Sequence, residues 1–283
     1  MHKLAVLIFT FAFFVNAQSL KLNKVEPPNW WAGMTKNKIQ LMVYGEGLSG
    51  GSAACKSGLK ILGVNSYNDG YLFIDVEIPS DLKPGNHEIE INSKGKTAKL
   101  NFPVLKRSGK TPAGFSVDDV IYLIMPDRFV NGDTKNDAVK GLSESVDRGF
   151  YDGRHGGDLQ GIINKLDYLK ELGITALWLT PVVENNTYRS YHGYSSTDFY
   201  TVDARLGDNA LYKKMVEEAQ KRGIKVILDH VANHFSKDHQ WAKSLPHPTW
   251  VNGTLQNPPP PMHHKQVFPD INSDSSTIIK VIE

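Results

Sequence analysis

Three short segments concentrate side chains able to hold a polar ligand. Tyr191-His192-Gly193-Tyr194 sets two phenol rings beside an imidazole, with Asp198 and Asp203 a little downstream. Asp229 is followed by His230, Asn233 and His234. Together these two offer carboxylates, hydrogen-bonding imidazoles and flat rings. Taken singly, each residue has a plainer use: a His or Tyr in a loop decorates a surface, and Asp229 could simply cap a helix. The third segment, Asn131-Gly132-Asp133-Thr134-Lys135-Asn136-Asp137, carries four oxygen-bearing side chains suited to a cation: Asn131, Asp133, Asn136 and Asp137. Ca²⁺ takes about six to eight oxygens from flexible loops of this kind. The same composition also makes an ordinary Asn/Gly/Asp turn.

The elements that must position these residues change character along the chain. From 18 to 105, Ile39–Tyr44, Tyr71–Val76, His87–Ile91 and Ala98–Phe102 alternate or run apolar between Gly-Gly, Asn-Asp-Gly and Pro-Gly-Asn turns. That pattern predicts antiparallel strands with one buried face, in a small Ig-like β-sandwich. Residues 106–118 read as a linker. Beyond it, Val120–Met125 is an apolar run stopped by Pro126, and Leu159, Ile162, Ile163, Leu166, Leu169 and Leu172 follow a helical period stopped by Gly173. Ala176–Leu179 is a strand, 209–222 a helix closed by Gly223, and Lys225–Leu228 a strand ending at Asp229. Apolar strands alternating with helices predict βα units on a parallel sheet. The candidate residues all fall just after strand ends, the catalytic face of a (β/α)₈ barrel. The expected fold is therefore an all-β sandwich followed, over 119–283, by the first part of a TIM barrel; an open doubly wound sheet is the alternative.

Five segments in order resemble the alpha-amylase family of glycoside hydrolases. Asp229-His230-Val231-Ala232-Asn233-His234 is similar to its first signature, and Gly173–Pro181 to its second barrel strand. Tyr191–Tyr194 with Asp198-Phe199-Tyr200 and Asp203 resembles its substrate-facing segment. Phe268-Pro269-Asp270-Ile271-Asn272 resembles a short motif late in its inserted domain B. Pro126-Asp127-Arg128-Phe129, the 131–137 loop and Gly156-Gly157-Asp158 resemble the neopullulanase and cyclomaltodextrinase branch. The resemblance implies that His192, Tyr194, Asp229 and His234 bind substrate. It implies a structural Ca²⁺ held by Asn131, Asp133, Asn136, Asp137, the Gly156 carbonyl and Asp158. Asp198 and Asp203 read as architectural, and Trp241 and Trp250 as either sugar-stacking or packing residues.

The implied activity is retaining hydrolysis of α-1,4-linked glucans: maltodextrins, cyclodextrins or pullulan. A glycosidic bond breaks through an oxocarbenium-like transition state between two carboxyl groups about 5–5.5 Å apart. The resemblance puts those groups after later barrel strands, so they are expected beyond Glu283. A chain that ends there is instead expected to be a non-catalytic carbohydrate-binding fragment. In this branch a β-domain ahead of the barrel often shapes the cleft across a dimer, so a homodimer is the corresponding expectation.

Composition agrees with an uncharged partner. Lys and Arg number 32 against 30 Asp and Glu, for a formal charge of +2. This is no footprint for nucleic acid or an anionic membrane. His2 and Lys3, the apolar run Leu4–Val15 and the small residues up to Ala17 read as a signal peptide cleaved near Ala17, with export to the periplasm or beyond. That run is too short to span a membrane. The single cysteine, Cys55, permits no intramolecular disulfide.

Overall fold

The computed structural model describes residues 20–107, 109 and 114–251. The signal segment, part of the linker and the segments at 268–272 and 273–283 lie outside the described residues.

Eight strands build the N-terminal part: β1 (Lys21–Glu26), β2 (Trp30–Trp31), β3 (Lys38–Glu46), β4 (Ser52–Cys55), β5 (Lys60–Asn68), β6 (Tyr71–Glu77), β7 (Gly85–Ser93) and β8 (Lys96–Leu105). They form two four-stranded sheets, ordered β1-β3-β6-β5 and β2-β8-β7-β4. All neighbours are antiparallel except the two-residue β2, which runs parallel to β8. Leu41, Val43, Leu72, Ile74 and Val76 from one sheet meet Ile89, Ile91, Phe102 and Val104 from the other. Removing such side chains from water contributes about 1.5–3 kcal/mol each.

The expectation of one buried face fails for β3 and β6. Their alternate residues Met42, Tyr71 and Phe73 are buried too, on the outer side, under Phe235, Trp241 and Trp250 from the C-terminal part. Period-two alternation therefore serves two cores at once, which is why β6 reads as a nearly unbroken apolar run.

The second part holds three parallel strands, β9 (Ile121–Ile124), β10 (Ala176–Leu179) and β11 (Lys225–Leu228), in the order β11-β10-β9. Ile121 is level with Ala176 and Lys225, and Ile124 with Leu179 and Leu228. Between the strands run α1 (Pro126–Phe129), α2 (Leu159–Asn164), α3 (Leu166–Glu171) and α4 (Asn209–Lys221), with α5 (Gln240–Lys243) after β11. Asp158 and Asp208 cap α2 and α4, accepting from Gly161 N and Leu211 N. The single helix expected over 159–172 is two, because the backbone leaves helical geometry at Lys165. The apolar spacing survives the break: Leu159, Ile162, Leu166 and Leu169 all enter the core beside Leu177, Met215 and Ala219.

Among the described residues this sheet is covered on its helical side, where Leu177, Leu179 and Ile124 are buried. Leu123 and Trp178, level with each other on the opposite face, are exposed. A parallel sheet wants cover on both faces, so the segment has the form of part of a TIM barrel. Among the described residues no helix is long and apolar enough to cross a membrane.

Candidate functional site

The ends of β10 and β11 bring the Tyr191–Tyr194 and Asp229–His234 segments together. Asp229 follows β11, and its Oδ2 accepts from Tyr194 Oη at 2.8 Å and from Trp178 Nε1 at 3.0 Å. Burial, and then the bond to Asp229, push the Tyr194 phenol up to about 12, so it donates at neutral pH. The Tyr194 backbone N–H donates to His192 Nδ1 at 2.9 Å, and the two rings lie 24° from parallel with centroids 5.8 Å apart. This tight turn depends on Gly193, at φ +91°, where a side chain would run into the Pro181 carbonyl.

His234 completes the cluster from behind. The Tyr194 carbonyl can only accept, so His234 Nε2–H donates to it at 2.8 Å, and Nδ1 accepts from the Asn233 amide at 3.0 Å. Both ring nitrogens are thus engaged within the protein, and His234 fixes the Tyr194 backbone. Sequence reasoning brought out His192, Tyr194, Asp229 and His234, and the structure assembles all four. It missed Trp178, which appeared only as an apolar strand residue. Its place one position before the end of β10, level with Leu123 and Ile227, is the signal that could have found it.

Arg128 stacks on Tyr191 at 3.8 Å and pairs with the buried Asp127. Asp127 in turn accepts from the backbone N–H groups of His155 and Gly156.

Below the cluster the loops are tied by a buried ionic network that local sequence patterns do not reveal. Arg205 grips Asp203 with Nε at 2.9 Å and Nη2 at 2.8 Å. Arg154 lies 3.8 Å from the same carboxylate and 3.7 Å from Glu144, and donates to the carbonyls of Asn185 and Ser190. Burial alone would raise the Asp203 carboxyl; Arg205 and Arg154 outweigh it and hold the group below its ordinary range. Asp198 faces the other way, pairing with Lys24 of the sandwich at 2.5 Å. Trp241 and Trp250 are buried, their rings 5.1 Å apart, within the core that joins the two parts. They pack.

The 131–137 loop meets Gly156-Gly157-Asp158. Asn131 Nδ2 donates to Asp137 Oδ1 at 2.6 Å, and Asn136 Nδ2 to Asp158 Oδ2 at 3.3 Å. Gly156, at φ +84°, sits where a side chain would strike Asp137 and Asn131. Asp158 also accepts from Gly132, Asp133 and Gly161 backbone N–H groups. The Asp133 side chain instead accepts from Lys135 N within its own turn. Asn131 Oδ1 and Asn136 Oδ1 are buried without a hydrogen-bond partner. A buried orphan oxygen is costly, and an oxygen-only donor set is what Ca²⁺ selects, so these residues fit that ion. Among the described residues no group of three or more His, Cys, Asp or Glu side chains could by itself hold a metal; the amide and carbonyl oxygens are essential to the fit.

A β-sandwich ahead of parallel βα units, with an aromatic and polar cluster at the strand ends, defines part of a barrel protein whose candidate site lies at the C-terminal face. Residues 123–251 match the alpha amylase catalytic domain family, and residues 24–108 the cyclomaltodextrinase N-terminal family. The chain is 48% identical over 115 residues to a beta/alpha-amylase of Paenibacillus polymyxa, covering 40% of this chain and 9% of that protein. It is 42% identical over 143 residues to neopullulanase 2 of Thermoactinomyces vulgaris, covering 50% and 24%. It is 44% identical over 121 residues to a cyclomaltodextrinase of Thermoanaerobacter pseudethanolicus, covering 43% and 20%. Residues 123–251 thus belong with the alpha amylase catalytic domain family, and residues 24–108 form a cyclomaltodextrinase-type N-terminal domain. Its matched segments span less than a quarter of the length of these relatives.

Proposed function

We propose that this chain supplies the N-terminal domain and part of the substrate-binding face of a retaining glycoside hydrolase acting on α-1,4-linked glucans, among them maltodextrins, cyclodextrins or pullulan. The observation that carries the reading is the Tyr194–Asp229 pair at the end of β11, with the His192 ring beside Tyr194. A sugar ring needs a flat apolar surface for its C–H face and fixed polar groups for its hydroxyls, and the cluster offers both. Asp229 orients Tyr194 from one side and His234 fixes its backbone from the other, so the ring is set before substrate arrives. The attacking and protonating carboxylates belong, on the family pattern, to later strand ends.

A structural Ca²⁺ is part of the same reading. Asn131, Asn136, Asp137, the Gly156 carbonyl and Asp158 would hold it, with Asp133 joining if its side chain leaves Lys135 N. The ion would supply positive charge joining the loop after β9 to the N-terminus of α2. Export after cleavage near Ala17 also belongs to the reading and rests on the sequence of residues 1–17.

The test is the full-length protein against maltodextrin, cyclodextrin and pullulan, with the anomeric form of the first product followed by NMR. Release of the α-anomer supports the proposal. Binding without turnover would leave a carbohydrate-binding role, and release of the β-anomer would overturn retention.

A further inference from the structure

Trp178 lies on the face of β10 opposite Leu177 and Leu179, which are buried among the helices. β10 is the middle strand, bonded to β9 on one side and β11 on the other, so the backbone carrying the indole is held from both edges. Trp178 is level with Ile227, and Asp229 stands two residues further on. Strand alternation puts the carboxylate on the indole's side, and Nε1–H reaches it at 3.0 Å. The atom reached is Oδ2, the same oxygen that accepts from Tyr194 Oη at 2.8 Å. A single donor fixes the distance to a carboxylate oxygen but leaves the group free to swing about that bond. Two donors from separate elements fix its place. Tyr194 comes from a loop, whereas Trp178 has only two side-chain torsions and stands on a paired strand. The indole is the fixed point of the three groups.

We propose that Trp178 is a positioning residue for the α-glucan site: its indole N–H holds Asp229 in place, and Asp229 in turn sets the Tyr194 ring that meets the sugar. The inference rests on the α-glucan reading and deepens it. Trp178 acts through Asp229 and needs no contact with substrate. A hydrogen bond to a charged acceptor is stronger than one between neutral groups, so the indole can hold the carboxylate where a ring of the same shape without the N–H cannot. The Tyr194 phenol carries the signature of this arrangement. Burial first, and then the bond to Asp229, push it up to about 12. Once Asp229 swings away, the second cause is lost.

The experiment removes the N–H alone, by placing 3-benzothienylalanine at position 178 of the full-length protein, where sulfur takes the place of the indole nitrogen; Trp178→Phe is measured beside it. Ionisation of the Tyr194 phenol is followed by carbon NMR of tyrosine labelled at Cζ, with Tyr194→Phe identifying the resonance. The isostere is expected to bring the phenol down towards its ordinary value of about 10. It is also expected to reduce kcat/KM on maltodextrin about tenfold at a melting temperature close to wild type, and Trp178→Phe to do the same or more. A packing role alone gives another pattern: Trp178→Phe melts earlier, while the isostere leaves phenol and turnover as in wild type. That pattern overturns the proposal. So does a phenol that rises or holds its wild-type value in both variants, or a lowered phenol with turnover unchanged. If wild type neither binds nor cleaves maltodextrin, the glucan reading falls, and the phenol titration alone then decides whether Trp178 sets Asp229. If wild type cleaves maltodextrin and the isostere matches it in both readouts, the positioning role falls and the glucan reading stands.

Discussion

The sandwich and the β/α segment solve the same problem in different ways. In the sandwich, two sheets close over one apolar core, and Leu41, Leu72, Ile74 and Phe102 lose all contact with solvent. Among the described residues of the β/α segment the sheet's apolar core lies on its helical side, and the loops at the strand ends are held by the buried charges of Arg154, Asp203 and Arg205 with the half-buried Glu144. An apolar core tolerates changes of pH and salt. A buried network fixes loop positions with directional bonds, and that is what a binding site requires, but it fails sharply when one member is removed.

The contrast can be broken from either side. Phe102→Ala should have the largest effect, destabilising the sandwich by about 4 kcal/mol in denaturant unfolding, with little dependence on pH. Asp203→Asn should cost about 3 kcal/mol, because it leaves two buried guanidinium groups short of countercharge. Its pH signature separates the two cases. The folded Asp203 carboxyl lies below its unfolded value, so its contribution is present above that value and lost as pH falls through the folded one. Wild type should therefore lose stability below about pH 4, the unfolded Asp value, relative to Asp203→Asn. A cost independent of pH would contradict the ionic account.

The seam between the two parts has its own titration. His239 is buried beside Trp241 and Phe235, its Nδ1 accepting from Trp241 N at 3.0 Å. Burial pushes its pKa down to about 3. The unfolded imidazole takes a proton near 6.5 while the folded one does not. The stabilisation is thus full above about pH 6.5 and falls away as pH drops towards 3. Acidification from pH 7 to 5 should weaken the protein by about 2 kcal/mol through this group, and His239→Gln should remove that part of the slope. The smallest effect expected is that of the cation: chelation should lower stability by about 1–2 kcal/mol with free Ca²⁺ ten- to thirtyfold above its Kd. Asn131→Ala should abolish the difference. Equal melting temperatures with and without EDTA, and no metal in the protein, would contradict the site.

What was legible in the sequence follows the same division. β3, β6, β7 and β8 were readable because alternation and turn residues are local signals. β5 was not, since register shifts between Ile61 and Gly63 and between Asn65 and Asn68 interrupt its pairing. Apolar spacing at Leu159, Ile162, Leu166 and Leu169 identified a buried face but could not register the break at Lys165, because burial constrains the face and not the continuity of the backbone. His192, Tyr194, Asp229 and His234 were visible as motifs. Their supports were not: Lys24 and Asp198 lie 174 residues apart, and Arg154 ties the loop after β9 to the one after β10. Ion pairs at such separation leave no period in the chain.

The central claim is that the cluster at the ends of β10 and β11 holds an α-glucan through a pre-set Tyr194. His234→Ala in the full-length protein tests it most directly, because His234 acts on the Tyr194 backbone while half-buried itself. The account predicts a loss of about 100-fold in kcat/KM on maltodextrin, with a melting temperature close to wild type. Unchanged turnover at unchanged stability would contradict it.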